Sequence, residues 1–125
     1  MNKIRCIIVD DEAIAREVLD ELLGRINFVK VVGSCKNAME AFHVINIEEI
    51  DLIFLDINMP IVDGFVFLYE FEKFDYSIKD KCKVIILSSS DNKRDIDKIV
   101  NNDHVIKFIT KPLTEIALEE VSQIV

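Results

Sequence analysis

A chain of 125 residues, half of them hydrophobic, is long enough for one domain with a sizeable core and too short to require a second. Its formal charge of -8 speaks against unassisted binding to nucleic acid, which needs clustered lysine and arginine, and favours basic partners or metal ions. Three scattered cysteines without a C-x-x-C pair, Cys6, Cys35 and Cys82, read as reduced thiols in a cytoplasm, and no apolar run approaches the ~18 residues of a membrane span or makes a signal peptide.

Residues 4–9 form a β-rich apolar segment, interrupted only by Arg5 and Cys6, that stops at Asp10, Asp11 and Glu12. Over residues 12–25 the period shifts to about 3.6. Ile14, Val18, Leu22 and Ile26 stand at i+4 steps there and predict an amphipathic helix on that stripe. Residues 28–32 read as a second strand, closed by Gly33 and Ser34. Asn37 followed by Glu40 predicts a capping box, and Ala38, Ala41, Phe42 and Ile45 give the next helix its apolar face.

Leu52, Ile53, Phe54 and Leu55 show no polar alternation, as expected of a strand buried on both faces of a parallel sheet. A carboxylate, Asp56, ends that run, and Pro60 and Gly64 soon break the backbone. Gly64 opens a predicted helix to about Phe74, apolar over much of its girth through Phe65, Phe67, Leu68 and Phe71. Residues 75–83 read as a polar connection, and 84–87 as a fourth strand ending in Ser88, Ser89 and Ser90. A short charged helix is predicted over 92–100, anchored by Ile96, Ile99 and Val100. The fifth strand, 105–109, ends at Thr110, Lys111 and Pro112, and Thr114 caps a last helix with Leu113 and Leu118 as a hydrophobic staple and Ala117, Val121 and Ile124 inward.

Such alternation specifies an α/β domain with a five-stranded, mostly parallel sheet flanked by five helices. Ligands of these sheets gather beyond the carboxyl ends of the strands. Asp10 and Asp11 end the first strand, Asp56 the third, Ser88 the fourth and Lys111 the fifth, so the distinctive polar residues fall on one rim. Three carboxylates there repel one another, at roughly 1–4 kcal/mol for each pair about 4 Å apart. A divalent cation resolves the conflict, and magnesium, which takes oxygen ligands and is commonly held by carboxylates together with phosphate oxygens, suits Asp10, Asp11 and Asp56. Helix capping alone would need only one of the Asp10–Asp11 pair, for about 1 kcal/mol. Lys111 can pair with Asp56 or a phosphate as a point charge, and Ser88 can donate its hydroxyl to an anionic oxygen. An aspartate between a metal and a lysine can serve as the nucleophile of phosphoryl transfer. His43 and His104 have no metal spacing and no adjacent nucleophile.

IIVDDE at the first strand, LDINMP with Asp63 and Gly64 after the third, LSS after the fourth and ITKP after the fifth together resemble the receiver domain of two-component response regulators, over essentially the whole of residues 1–125. The resemblance implies the flavodoxin-like strand order 2-1-3-4-5. It implies that Asp56 accepts a phosphoryl group from the phosphohistidine of a sensor histidine kinase or phosphotransfer protein. Magnesium would be held by Asp10, Asp11, Asp56 and the backbone carbonyl of Asn58, and the phosphoryl oxygens by Ser88 and Lys111. Ser88 and Phe108 would form the switch pair that alters the face made by helix 92–100, the fifth strand and the last helix.

By the same resemblance the chain is a cytoplasmic switch, not an enzyme, though able to assist its own phosphorylation and dephosphorylation. Its output would pass through a downstream protein, a homodimer formed on that face, or an output domain outside this chain, with no direct nucleic-acid or membrane contact. Phe108 lacks the hydroxyl that a tyrosine would bring, Ser89 stands where alanine or glycine is usual, and NNDHVIKF lacks the small pair common before the fifth strand. Two other readings stay open: a phosphohydrolase with an aspartyl nucleophile, and a degenerate receiver that only binds. The first lacks the expected D-x-D, since Asn58 and Glu12 stand two positions after Asp56 and Asp10. The second is opposed by the intact Asp56, Lys111 and acidic pair.

Overall fold

Runs of isoleucine, valine and leucine become β1 (Ile4–Val9), β2 (Val29–Cys35), β3 (Leu52–Asp56), β4 (Lys83–Ser88) and β5 (Val105–Thr110). Between and after them lie α1 (Ala13–Gly24), α2 (Ala38–Ile47), α3 (Gly64–Phe71), α4 (Tyr76–Lys81) and α5 (Glu115–Val121). The computed structural model describes residues 3–56, 64–74, 76–88, 103–110 and 114–121. All strand pairs are parallel and the order is β2-β1-β3-β4-β5, as expected.

Side chains along a strand point alternately to the two sides of the sheet, and here both sides are covered. Ile7, Val9, Ile53, Leu55, Val84 and Ile86 pack with Ala38, Ala41 and Ile45 of α2 and with Phe67 and Phe71 of α3. Cys6, Ile8, Leu52, Phe54, Ile85 and Leu87 pack with Leu19 and Leu23 of α1 and with Leu118 and Val121 of α5. Two-sided burial is why these strands show no polar alternation. The aromatic side chains between α2 and α3 stack as a group, with ring centroids 4.9 Å apart for Phe42 and Phe67 and 5.7 Å for Phe71 and Phe74.

The expectation of five helices in the predicted places is not met. Four of them are present among the described residues, as α1, α2, α3 and α5, while the one predicted at 92–100 lies outside those residues. A further six-residue helix, α4, occupies the stretch read as a plain polar connection. Its sequence carries no periodic apolar face. Instead one anchor, Ile78, packs on the α2–α3 side of the core, and the Cys82 amide donates to the Ile78 carbonyl at 3.2 Å, leading into buried Cys82 and β4. Docking of a single side chain is a tertiary contribution that propensity and period do not report.

The buried stripe of α1 also differs from the predicted one. Leu19 and Leu23 are buried, whereas Ile14 is 75% and Val18 52% exposed. Each i+4 step advances about 40° around a helix, so a row of such steps winds off any one face within three turns. The sheet selects the part of that row it can cover.

The capping box at α2 is formed in half. Asn37 Oδ1 accepts from the Glu40 amide at 2.9 Å, but Glu40 Oε1 accepts from the amide of Lys36, at 2.9 Å, in place of that of Asn37. At α5 the Thr114 hydroxyl accepts from the Ala117 amide at 3.2 Å, the predicted cap.

Gly33 lets α2 approach the sheet closely. A Cβ there would stand 3.3 Å from Ile7 Cγ2 and 3.4 Å from Val44 Cγ1. Gly33→Val is expected to lower stability by about 1–3 kcal/mol through overpacking, read as a lower urea midpoint. An unchanged midpoint would show that α2 yields freely.

Candidate functional site

Adjacent parallel strands bring their carboxyl ends together, and the register decides which residues meet. Val9 pairs with Leu55, so Asp10 and Asp56, each one residue further on, emerge side by side. Asp11 follows immediately. Carboxylate oxygens of Asp10, Asp11 and Asp56 lie within 4.8 Å of one another. Asp10 and Asp56 are 2% and 3% exposed, while Asp11 is open to solvent, so the cluster is reached from the Asp11 side.

Asp10 is tied down at several atoms, in its backbone and its side chain. Its amide donates to the Cys35 carbonyl at 3.0 Å, which fastens the end of β1 to the end of β2. Asp10 Oδ1 accepts from the Glu12 amide at 2.9 Å, closing the turn into α1. Arg16 Nη1, one turn into α1, donates to the Asp10 carbonyl at 2.7 Å.

Ser88 is also on this rim. Asp56 pairs with Leu87 in β4, placing Ser88 one residue beyond, where it is 4% exposed and opposite Thr110 of β5. Phe108 lies two residues before Thr110, pairs with Ile86, and is half-buried against the α2–α3 side of the core. Asn58 and Lys111 lie outside the described residues. Of the predicted site residues, then, Asp10, Asp11 and Asp56 meet, Ser88 stands on the next strand end, and Phe108 sits deeper along β5.

At 4.8 Å two unit charges repel by about 1 kcal/mol in water and about 3–4 kcal/mol at an effective dielectric constant of 20. All donors in the cluster are hard carboxylate oxygens, with no thiol or imidazole among them, and it is the one such group of three among the described residues. That donor set fits magnesium and suits soft metals poorly.

Arg16 was not singled out by the sequence, although a signal was there. A cation in the first turn of a helix opposes the helix dipole, at a cost of about 0.3–1 kcal/mol, so its presence asks for a compensating partner.

A family model described as "Response regulator receiver domain" matches residues 6–123. Among curated relatives, a protein-glutamate methylesterase/protein-glutamine glutaminase of Xanthomonas campestris pv. campestris is 32% identical across 91% of this chain and 31% of its own length. The transcriptional regulatory protein BtsR of Escherichia coli is 30% identical across 85% of this chain and 57% of its own. The chain thus spans about a third to just over half the length of these relatives. In three dimensions it is similar to a two component response regulator from Cytophaga hutchinsonii, with a TM-score of 0.83, 29% identity, and 98% and 96% of the two chains covered. The match is to the receiver portion that such proteins share, not to the catalytic output that some of them carry. No helix among the described residues is long and apolar enough to cross a membrane. With strand order, acidic cluster and family model in agreement over nearly its full length, the chain belongs to the response regulator receiver domain family.

Proposed function

We propose that this domain is a phosphorylation-controlled switch of two-component signalling in which Asp56 is the phosphoacceptor. The observation that carries the reading is the meeting of Asp10, Asp11 and Asp56 on one rim, with Ser88 on the neighbouring strand end. Asp10, Asp11 and Asp56, with the backbone carbonyl of Asn58, would hold magnesium, which when bound would offset charge on the transferring phosphoryl oxygens. An oxygen of Asp56 attacks phosphorus, and the bond from phosphorus to the donor imidazole breaks with its electron pair going to the ring nitrogen. Ser88 donates a hydrogen bond to the phosphoryl group and Lys111 supplies a cation to it.

The donor on this reading is a sensor histidine kinase or a phosphotransfer protein. New charge at Asp56 would draw on the Ser88 hydroxyl and bias Phe108, shifting the balance between two arrangements of the surface formed by residues 92–100, β5 and α5. That surface would pass the signal to a downstream protein, to an output domain, or to a second copy. The net charge of -8 supports protein partners over direct contact with nucleic acid, and three free buried cysteines support a reducing cytoplasm.

The test is incubation with magnesium and a small-molecule phosphodonor, followed by intact mass. Wild type is expected to gain one phosphoryl group and Asp56→Ala none. Sustained consumption of donor would point to a phosphohydrolase, and no gain by wild type would leave a module that only binds; either result overturns the proposal.

A further inference from the structure

The loop that joins β1 to α1 carries two of the three clustered carboxylates, and like charges tend to push such a loop apart. No side-chain cap holds the start of α1, where Glu12 is the N-cap residue. Among the bonds that tether this loop are the Asp10 amide on Cys35, the Glu12 amide on Asp10 Oδ1, and Arg16 Nη1 on the Asp10 carbonyl at 2.7 Å. The last differs from the others in kind. Its donor is a cationic side chain, it spans six residues, and it acts on the peptide joining Asp10 to Asp11, whose orientation sets the direction in which Asp11 leaves the strand. Arg16 is half-buried and lies close enough to Cys35 to act on that thiol's charge, so the guanidinium sits within the junction of β1, β2 and α1.

We propose that Arg16 is a positioning residue of the acidic site: by holding the Asp10 carbonyl, its guanidinium fixes the Asp10–Asp11 pair in the arrangement a divalent cation requires. The proposal rests on the magnesium site set out above. Two effects of Arg16 on a metal oppose each other. As a positive charge near the cluster it disfavours a second cation, whereas as a tether it removes the need to order the loop when the cation binds. The tether prevails because the guanidinium is directed at a carbonyl, not at the carboxylate oxygens that would bind metal. Groups that orient metal ligands commonly set metal affinity by about 10–100-fold.

Titration of the intact domain with magnesium alone, by calorimetry, tests this in wild type, Arg16→Met and Arg16→Lys. Arg25→Met is the control, because Arg25 is an exposed arginine at the C-terminal cap of α1, paired with Glu21. Arg16→Met is expected to weaken magnesium binding roughly 10-fold. Arg16→Lys, which keeps a long cationic donor, should recover most of the loss, and Arg25→Met should bind like wild type. Hydrogen exchange without metal supplies a second readout: the Glu12 amide should exchange faster in Arg16→Met than in wild type, with little change at amides in β3. Unchanged or tighter magnesium binding in Arg16→Met overturns the proposal, as does a Lys variant no better than Met. If wild type itself binds no magnesium, the metal-site reading fails, and the exchange comparison still shows whether Arg16 holds the loop.

Discussion

Magnesium at about one hundred times its dissociation constant is expected to raise the melting temperature of the metal-free domain by roughly 10 °C. A ligand bound by the folded state alone adds about 2.7 kcal/mol at that concentration, and a domain of this length gains about 3–5 °C for each kcal/mol. The unfolded chain cannot compete for the ion, because Asp56 is brought beside the Asp10–Asp11 pair only by the pairing of β1 with β3. Asp10→Asn and Asp56→Asn each remove one ligand charge from the buried part of the cluster, so most of the shift should vanish in either variant. Asp11→Asn, at the exposed edge, should keep more of it. Sodium chloride at matched ionic strength provides the control, since screening alone acts on all surface charges. Equal shifts in wild type and Asp56→Asn would locate the ion elsewhere.

Alkaline pH should unfold the protein through its cysteines. Cys6, Cys35 and Cys82 are free and all three are buried. Burial pushes Cys6 up from 9.0 to about 12, helped by the Asp20 carboxylate. It pushes Cys82 up to about 12, helped by Asp51 and partly offset by Lys83. Cys35 rises to about 11 by burial and by Glu40, with the Arg16 guanidinium pulling the other way. The fold therefore holds these protons more tightly than the unfolded chain does. Their contribution is intact below pH 9 and is lost as the pH climbs through the folded-state values. Each thiol costs about 1.4 kcal/mol of stability per pH unit across that window. Together they remove on the order of 10 kcal/mol by pH 12, comparable with the ~5–15 kcal/mol total of an ordinary domain. Denaturation is expected near pH 11, roughly, in a circular-dichroism titration. Cys82→Ala should start less stable, through lost packing, and then fall less steeply, closing on wild type by about 1.4 kcal/mol per pH unit above pH 9. All other side chains are common to both proteins and cancel in the difference. Parallel stability curves would show that Cys82 plays no part.

Much of the site was legible because its signal is covalent order. An apolar run that stops at a polar residue places that residue at a strand end whatever surrounds it, and Asp10, Asp11, Asp56 and Ser88 were placed this way. Arg16 escaped notice because its partner is a backbone carbonyl, which has no letter in the sequence. The helix α4 was missed for a related reason: its anchor is a single isoleucine, and one residue has no period.

By itself, then, the amino-acid order determined the alternation of strands and helices, the two-sided burial of the sheet, and which end of it carries the acids. These follow from local hydrophobic pattern and from where each run ends. Only the tertiary structure decided which stripe of α1 faces inward, leaving Ile14 and Val18 exposed, and that a polar connection folds as α4. It alone brought three carboxylates within 4.8 Å and a guanidinium onto the Asp10 carbonyl. Those outcomes depend on register and close packing between segments distant in the chain, and such contacts are energies of pairs, which no single stretch of sequence contains.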